Sequence, residues 1–317
     1  MRFEFFSRVT MGAELNTGRQ LLLLGVDGGG TRCRARLAEL TGRTLAEATA
    51  GPANIRLGLK ESLAAVREVT DQCLQRAKLQ PTACRVIACL ALAGACEPVM
   101  LTQAQASLFP LPFERAIFTS DARAACIGAH EGKDGGIIII GTGSIAWALD
   151  GSREHRIGGW GFPISDEGSG AWLGCEALRR MLWAYDGLMP WTGLLRNLFT
   201  RFDSDPYTVV RWMGRARPRD YADLAPEIMA QSRVGDVAAL DLVTAAAAHV
   251  DKVSKRLMSL GVRKISLMGG LATFIQPFLS ESTRACIVPA RGDAMSGALH
   301  LARVEAELRG SSAVPHG

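Results

Sequence analysis

The stretch LLLLGVDGGGTRCRARLAEL (residues 21–40) places an aspartate, three glycines and a threonine between two different patterns. The unbroken apolar run before Asp27 is typical of a buried strand. After Thr31, the alternation of polar and apolar residues is typical of a half-buried strand. The stretch therefore predicts a strand, a tight glycine turn and a second strand. We expect the glycines to adopt positive φ and to bring backbone N–H groups close to an anion.

This turn matches neither of two common glycine-rich phosphate loops. A P-loop requires G-x-x-x-x-G-K-[ST], and a dinucleotide fingerprint requires a final glycine that opens a helix. Instead, we expect Gly28, Gly29, Gly30 and Thr31 to contact phosphate oxygens, and Asp27 to hold the waters of a Mg²⁺ ion. A plain hairpin turn is the alternative, but it requires no aspartate beneath the glycines.

The same design returns in the stretch GIIIIGTGSIAWAL (residues 136–149), where an apolar run precedes a glycine turn and an alternating run follows it. We therefore expect Gly141, Thr142 and Gly143 to bind phosphate as well. Two such hairpins on duplicated halves predict that a polyphosphate is bound from opposite sides, in a cleft between the halves. A chance repeat of a turn is the alternative.

Strands alternate with helices along the chain, which predicts an α/β fold. Apolar runs that end in glycine or aspartate predict strands at 21–26, 86–93, 116–119, 136–140 and 265–268. Helical periodicity is found at 59–78 and 237–260. Four prolines predict that 187–235 is an insertion of short helices.

Composition excludes several classes of protein. The net charge of +5 is carried by scattered arginines, which gives no basic stripe for a nucleic acid. No apolar run approaches the roughly 20 residues that span a bilayer. The eight cysteines include no C-x-x-C pair, so we expect free thiols and no metal site built from them. Residues 1–20 lack the features of an export signal and are interpreted as a loosely ordered leader, which predicts a cytoplasmic protein.

Beyond these patterns, the chain resembles the N-acetylglucosamine kinase and BadF/BadG-type ATPase family from about Leu21 to Ala302. The motifs that carry the resemblance are DGGGT (27–31), TSDARAA (119–125), GTGS (141–144), GGWGFPISDEGSGAWLG (158–174) and LMGGLA (267–272). One departure is Arg32, because many members of the family have lysine there. The resemblance implies a two-lobed actin-like ATPase fold of duplicated ribonuclease H-like lobes with an interlobe cleft. We expect an N-terminal lobe at 21–128 and a C-terminal lobe at 129–310.

The resemblance also implies roles for individual residues. Asp121 matches the catalytic aspartate of the family, so we expect it to be the general base and to contact the sugar; the alternative is a helix N-cap. A helix N-terminus should keep this carboxylate ionised near pH 7. Gly269 and Gly270 match the loop on the adenosine side of the nucleotide, although without the resemblance they are simply a turn.

A sugar pocket should combine carboxylates, amides and an aromatic ring. We expect this mixture from Asn54, Trp160, Gly161 and Asp166, with Glu167 as a further candidate, and we expect Thr142 to contact the sugar too. For Trp160 the alternative is a packed core aromatic residue. For Asp166 and Glu167 the alternative is a capping role at the helix predicted from Ser169.

Together these expectations describe an ATP- and Mg²⁺-dependent kinase that phosphorylates the 6-hydroxyl of N-acetylglucosamine. Its partners would be an amino sugar and ATP, and the resemblance implies a homodimer without nucleic-acid or membrane binding. Glucosamine is the alternative acceptor. An activator ATPase of a 2-hydroxyacyl-CoA dehydratase or benzoyl-CoA reductase system is an alternative of another class, although we find no cysteine in a glycine-rich cluster loop. A sugar-sensing regulator would be expected to lack Asp121.

Overall fold

The computed structural model of the protein describes residues 19–56, 58–107 and 113–312. The predicted leader falls outside these ranges up to residue 18, and the first strand begins at Gln20. The described residues form two compact units. One contains the described residues up to Lys133 together with those from Ala290 onward, and the other runs from Asp134 to Pro289.

The elements of the first unit, up to residue 133, are β1 (Gln20–Gly28), β2 (Cys33–Glu39), β3 (Thr44–Ala50), α1 (Leu59–Arg76), β4 (Cys84–Leu92), α2 (Pro98–Ala106), β5 (Arg115–Ser120) and α3 (Asp121–His130). The strands of the second unit are β6 (Gly135–Ile140), β7 (Ser144–Asp150), β8 (Arg153–Gly158) and β9 (Ile265–Met268). Its helices are α4 (Gly170–Tyr185), α5 (Gly193–Arg201), α6 (Pro206–Met213), α7 (Pro218–Ala222), α8 (Ala225–Arg233), α9 (Val237–Ser259), α10 (Ala272–Ile275) and α11 (Glu281–Arg284). The last helix, α12 (Ala294–Ser312), returns to the first unit.

The strand and helix predictions are confirmed. All five predicted strands are present as β1, β4, β5, β6 and β9, and the two predicted long helices are α1 and α9. The segment 187–235 contains α5 to α8, which are short helices as predicted. Within the described residues, no helix is both long enough and apolar enough to cross a membrane.

In the described part of the first unit, the sheet has the strand order β3-β2-β1-β4-β5. β1 runs antiparallel to β2 and parallel to β4, and β5 is parallel to β4. Leu22, Leu24 and Val26 of β1 are completely buried in the core that contains α1. On the opposite face, a side chain at Gly25 would lie 2.7 Å from the backbone oxygen of Met295 in α12. Helices therefore cover both faces of β1, which explains its unbroken apolar run.

Over residues 134–289, the second sheet has the order β8-β7-β6-β9. β6 is antiparallel to β7 and parallel to β9, so it occupies the position that β1 occupies in the first sheet. Each sheet thus places a glycine hairpin and the end of a parallel strand at one edge. The predicted α/β fold with duplicated lobes is confirmed.

The domain limits differ from the prediction at the C-terminal end. Residues 129–310 were expected to form one lobe, whereas α12 packs on α3 and β1 of the first unit. A side chain at Gly297 would lie 1.8 Å from the backbone oxygen of Ala124, and one at Gly128 would lie 2.0 Å from that of Asp293. The backbones of α3 and α12 are in contact where the helices cross, and only glycine, which has no side chain, fits at these two positions. This contact joins residues far apart in the chain, so local sequence patterns do not reveal it.

Candidate active site

The first glycine hairpin is closed by its own backbone. The amide of Gly29 donates to the carbonyl of Arg32 at 2.9 Å, and the carbonyl of Gly29 accepts from the amide of Ala53 at 2.9 Å. In a trans peptide the N–H points opposite to the C=O, so the N–H of Gly30 points away from Ala53. Among the described residues, the amides of Gly30 and Thr31 have no hydrogen-bond partner, and both residues are exposed. The tip therefore presents two N–H groups that can bind an anion.

The expected positive φ of these glycines is wrong. Gly28, Gly29 and Gly30 all lie outside the left-handed region. Close packing gives the reason for glycine at the first of these positions, because a Cβ at Gly28 would lie 2.5 Å from Cδ2 of Leu92 and 2.9 Å from Cβ of Ala53. Glycine at position 28 is therefore needed for close packing at the end of β1, and none of the three glycines adopts a left-handed conformation.

Asp27 lies at the end of β1 and is held by an arginine that the sequence analysis missed. Nη2 of Arg34 lies 2.6 Å from Oδ2 of Asp27, and Nη1 lies 3.3 Å from Oδ2 of Asp293. Burial opposes ionisation of Asp293, but hydrogen bonds from Ser296 and the charge of Arg34 outweigh it and lower the pKa of Asp293. Arg34 faces Asp27 directly across the β1–β2 ladder, so cross-strand pairing is the signal that could have found it.

Asp121 is the first residue of α3, but it is not the N-cap. The hydroxyl of Ser120 fills that role by accepting a hydrogen bond from the amide of Arg123 at 3.1 Å. Within the described residues, the Asp121 carboxylate makes only local contacts, including a bond that it accepts from the amide of Ala122 at 2.9 Å. Burial, together with the smaller effect of the negative charge of Asp27, raises the pKa of Asp121 from 3.8 to about 6. The carboxylate is therefore mostly ionised at pH 7 and is a much stronger base than an exposed aspartate.

Parallel strands bring these carboxylates to the same edge of the first sheet. Asp27 is in register with Ala91, and Ala91 is in register with Thr119, two residues before Asp121. Adjacent strands lie about 4.8 Å apart, so the two aspartates are separated by about 10 Å across the sheet edge. Ligands of open α/β sheets bind beyond the carboxyl ends of strands, which is where both residues lie.

Asn54 belongs to the same edge. It forms a parallel bridge to Ala93, which follows β4, and its Nδ2 atom would lie 3.9 Å from a Cβ at Gly30. Its Oδ1 atom accepts a hydrogen bond from the amide of Arg56 at 3.1 Å. Asn54 is therefore fixed beside the tip of the first hairpin, as a ligand-binding amide would need to be.

The second hairpin is anchored by the start of α4. The amides of Gly170 and Ala171 donate to the carbonyls of Gly141 and Thr142 at 2.8 and 3.1 Å. Because N–H and C=O point in opposite directions in a trans peptide, the amides of Thr142 and Gly143 point away from α4. Neither amide has a hydrogen-bond partner among the described residues. The second tip thus repeats the pair of available N–H groups of the first.

Asp166 lies against this second hairpin. A Cβ at Gly143 would be 2.6 Å from Oδ2 of Asp166, so only glycine leaves space for the carboxylate. Oδ1 of Asp166 accepts a bond from the amide of Gly161 at 3.3 Å, and burial raises the pKa of the Asp166 carboxyl. The alternative of a capping role is wrong for both Asp166 and Glu167, because Ser169 is the N-cap of α4.

Trp160 is not a core residue. Its side chain is 69% exposed, and the guanidinium of Arg156 stacks on the ring with its Cζ 4.1 Å from the centroid. Gly161 follows it with φ of 105°, a conformation that favours glycine. The packed-core alternative is therefore wrong, and an aromatic surface is presented to solvent in the same loop as Asp166.

The two glycines of the LMGGLA motif play different parts. Gly269 has φ of 93°, and a Cβ there would lie 2.4 Å from the backbone oxygen of Ile140. Gly270 is exposed, and no heavy atom lies within 4 Å of a Cβ placed on it. The turn is joined to the end of β6 by a bond from the amide of Leu271 to the carbonyl of Ile140 at 3.0 Å. Gly269 is therefore needed for packing, whereas Gly270 leaves open space for a ligand next to the second hairpin.

The described residues contain no cluster of three or more His, Cys, Asp or Glu side chains that could enclose a metal ion. The acidic groups present at the first hairpin, Asp27 and Asp293, are hard oxygen donors. This donor set fits Mg²⁺, which retains waters and binds proteins through one or two carboxylates and the phosphates of a substrate.

Comparison with known proteins identifies the family of the chain. The Vibrio cholerae glucosamine kinase is 37% identical over 284 residues, which cover 88% of this chain and 95% of the relative. The N-acetyl-D-glucosamine kinase of Dictyostelium discoideum is 28% identical over 267 residues, which cover 77% and 81% of the two chains. A crystal structure from Chromobacterium violaceum, provisionally named an N-acetylglucosamine kinase, superposes with a TM-score of 0.82 at 32% identity and covers 90% of this chain and 99% of its own. Residues 24–299 match the BadF/BadG/BcrA/BcrD ATPase family, and the chain belongs to that family.

Proposed function

We propose that the protein is an ATP-dependent hexosamine kinase that transfers the γ-phosphoryl group of MgATP to the 6-hydroxyl of N-acetylglucosamine. Membership of an ATPase family and similarity to kinases of glucosamine and N-acetylglucosamine support this proposal. The observation that carries it is the position of Asp121, a carboxylate with a pKa of about 6 at the sheet edge that also holds Asp27 and Asn54.

Asp121 would accept the proton of the 6-hydroxyl as that oxygen attacks phosphorus. Phosphoryl transfer depends mainly on positioning and on electrostatic stabilisation, with a base that orients the nucleophile. A base works best when its pKa lies near the working pH, and burial brings Asp121 toward that range. Proton acceptance by such a base typically contributes about 10²- to 10⁴-fold to the rate.

Each hairpin would bind phosphate oxygens through the amides at its own tip. In the first hairpin these are the amides of Gly30 and Thr31, which have no partner among the described residues. Gly28 and Gly29 would act mainly by allowing the tight turn, since the amide of Gly29 already closes it. In the second hairpin, Thr142 and Gly143 would donate their amides. Gly141 would contribute by joining the turn to α4.

Mg²⁺ would supply positive charge that neutralises the β- and γ-phosphates. Asp27 would hold the ion through its waters, because Oδ2 of Asp27 already pairs with Arg34. Arg34 in turn orients Asp27 and ties it to Asp293. These residues therefore fix the carboxylate direction before any ligand binds.

For the acceptor, Asp166 and Asn54 would bind ring hydroxyls and the Trp160 ring would cover an apolar sugar face. Gly161 allows the loop to place these groups, and the Thr142 side chain would add a hydroxyl contact. Gly270 would let the adenosine side of ATP approach the backbone, while Gly269 holds the turn in place. The homodimer implied by the resemblance stays a prediction, and so does the cytoplasmic location.

Glucosamine is the second candidate acceptor, and the 37% identity with the Vibrio cholerae glucosamine kinase favours it. The deciding experiment measures ADP release from MgATP with N-acetylglucosamine, glucosamine, glucose, N-acetylmannosamine or no sugar. We expect turnover that requires a hexosamine and the highest kcat/KM with N-acetylglucosamine. A higher kcat/KM with glucosamine would make glucosamine the acceptor in place of N-acetylglucosamine. ADP release independent of sugar would overturn the kinase proposal.

A further inference from the structure

An open cavity of about 430 Å³ lies among α5, α6 and α7, in a part of the second unit that none of the proposed roles uses. Small-molecule sites typically have volumes of about 300–1,000 Å³, so the cavity has room for a metabolite. It differs from an ordinary surface groove in its charge, because three arginines line it: Arg201, Arg211 and Arg215.

These three guanidinium groups are only partly neutralised by the protein. Arg211 donates to Asp205 at 3.1 Å and to the hydroxyl of Thr208 at 2.8 Å. Arg201 and Arg215 are exposed, and their guanidinium groups have neither an ion pair nor a hydrogen bond among the described residues. Guanidinium groups that lie close together and are not fully paired favour the binding of an anion between them. Their planar geometry matches that of phosphate.

The rest of the lining suits a sugar. The floor is aromatic, formed by Trp212 and the buried Phe202, whose rings lie 5.3 Å apart in an edge-to-face arrangement. At the rim, the Asp220 carboxylate accepts a hydrogen bond from the amide of Arg217 at 2.7 Å, whereas Asp223 is exposed and its carboxylate has no hydrogen-bond partner among the described residues. Carboxylates accept hydrogen bonds from sugar hydroxyls, and an aromatic ring can cover an apolar sugar face.

One cavity thus combines arginines that can bind phosphate, carboxylates that can accept hydrogen bonds from hydroxyl groups, and an aromatic floor. These groups together fit one class of ligand. We propose that this cavity binds a sugar phosphate, at a site separate from the hairpins that would bind ATP. This inference goes beyond the proposed function and does not require that the protein be a kinase. If the protein is one, its own product belongs to the chemical class that the cavity would bind.

The cavity is linked by packed rings to the loop of Trp160 and Asp166. The Trp212 ring lies 4.8 Å from that of Tyr221, and the Tyr221 ring lies 4.9 Å from that of Phe162, next to Gly161. α7 also packs on α4 without a gap, since a Cβ at Gly174 would lie 2.0 Å from the backbone oxygen of Tyr221. Any change in acceptor affinity on filling the cavity would have to be matched by an equal effect of the acceptor on the cavity.

The test is isothermal titration calorimetry of N-acetylglucosamine 6-phosphate into the full-length protein. The protein is first saturated with N-acetylglucosamine and a non-hydrolysable ATP analogue, which fills the proposed reaction site. We expect one remaining binding site per chain. Arg201→Gln and Arg215→Gln should each lower the affinity of this site by about tenfold or more, because each removes a charge-assisted contact to phosphate. Arg263→Gln, an exposed arginine of the same unit outside the cavity, should leave the affinity unchanged.

Parallel titrations identify the source of the ligand. Inorganic phosphate tests the anion alone, while glucosamine 6-phosphate and glucose 6-phosphate distinguish the reaction's own products from other sugar phosphates. Asp223→Asn should weaken the binding of a sugar phosphate but not the binding of inorganic phosphate. The proposal is overturned if no site remains in the saturated protein, if both arginine variants bind like Arg263→Gln, or if inorganic phosphate binds as tightly as every sugar phosphate. The titration is repeated without added sugar and nucleotide. The same loss of affinity in the two arginine variants would then support sugar-phosphate binding in the cavity even if the protein proved not to be a kinase.

Discussion

The hydroxyl of Ser120 accepts a hydrogen bond from the amide of Arg123 at 3.1 Å and thereby caps α3. This single bond leaves the carboxylate of Asp121, the next residue, outside the capping role that an aspartate at a helix start often fills. Burial then raises the pKa of that carboxylate to about 6. Asp121, which resembles a helix cap in the sequence, is thus available for the role of base that we propose for it.

The raised pKa predicts an acidic limb in the rate profile. Since proton acceptance requires the ionised carboxylate, kcat/KM should fall about tenfold per pH unit below pH 6, with Mg²⁺ in excess. An exposed aspartate would place this limb about two units lower. The measurement is kcat/KM for the preferred hexosamine between pH 4.5 and 8. A flat profile down to pH 5 would contradict the role of Asp121.

Gly269 and Gly270, which we propose to lie on the adenosine side of ATP, should respond differently to alanine. Gly269→Ala forces a left-handed φ on a residue with a Cβ and brings that atom within 2.4 Å of the Ile140 oxygen. We expect a loss of about 2 kcal/mol or more in the free energy of unfolding. Gly270→Ala meets no atom within 4 Å, so it should leave that free energy unchanged and weaken ATP binding. Urea denaturation and nucleotide titration separate these effects, and equal destabilisation of the two variants would refute the assignment.

The second hairpin gives a prediction about the acceptor. In Gly143→Ala the new Cβ would lie 2.6 Å from Oδ2 of Asp166, so the carboxylate must move. We expect the KM for the hexosamine to rise by about tenfold, equivalent to the loss of one hydrogen bond to a charged group. Gly51→Ala is the matched control, because nothing lies within 4 Å of its Cβ. An unchanged hexosamine KM in Gly143→Ala would remove Asp166 from the sugar site.

Two neighbouring ion pairs should contribute very differently to stability, because they differ in burial. Arg115 of β5 pairs with Glu305 of α12 at 3.0 Å, and these side chains are 2% and 8% exposed. Arg115→Met leaves a buried carboxylate without its arginine and should lower the free energy of unfolding by about 3–5 kcal/mol. Arg85 pairs with Glu114 nearby, but both are about 30% exposed. Arg85→Met should therefore cost less than about 1 kcal/mol. Similar losses in the two variants would contradict this account of how α12 is held.

Local patterns were enough to predict the strands and helices. The apolar run before Asp27 and the alternation after Thr31 define β1 and β2, because side chains of a strand alternate between its two faces. The glycine turns were located correctly for the same reason. Their backbone angles were not, since the turn is shaped by a bond between Gly29 and Arg32 and by the packing of Gly28 on Leu92.

Contacts between distant parts of the chain escaped the sequence analysis. Arg34 links Asp27 to Asp293, and no local pattern relates Asp293 to the first hairpin. The same applies to α12, whose return to the first unit depends on the close crossing of Gly297 and Gly128 with their partner helices. The exposure of Trp160 was also open, because an aromatic residue among glycines fits both a core and a binding loop.

The central claim is that Asp121 is the base of a sugar-dependent phosphoryl transfer, and Asp121→Asn tests it most directly. The control is Asp71→Asn, which changes an exposed carboxylate on α1. Asp121→Asn should remain folded and should be more stable above pH 6. There the raised pKa of Asp121 imposes its full cost on the folded state, a cost that disappears below pH 4.

The measurement is kcat for hexosamine-dependent ADP release at pH 7.5 in the wild type and both variants. We predict a loss of about 10²- to 10⁴-fold in Asp121→Asn and wild-type turnover in Asp71→Asn. A folded Asp121→Asn protein with a kcat close to that of the wild type would contradict the proposed mechanism.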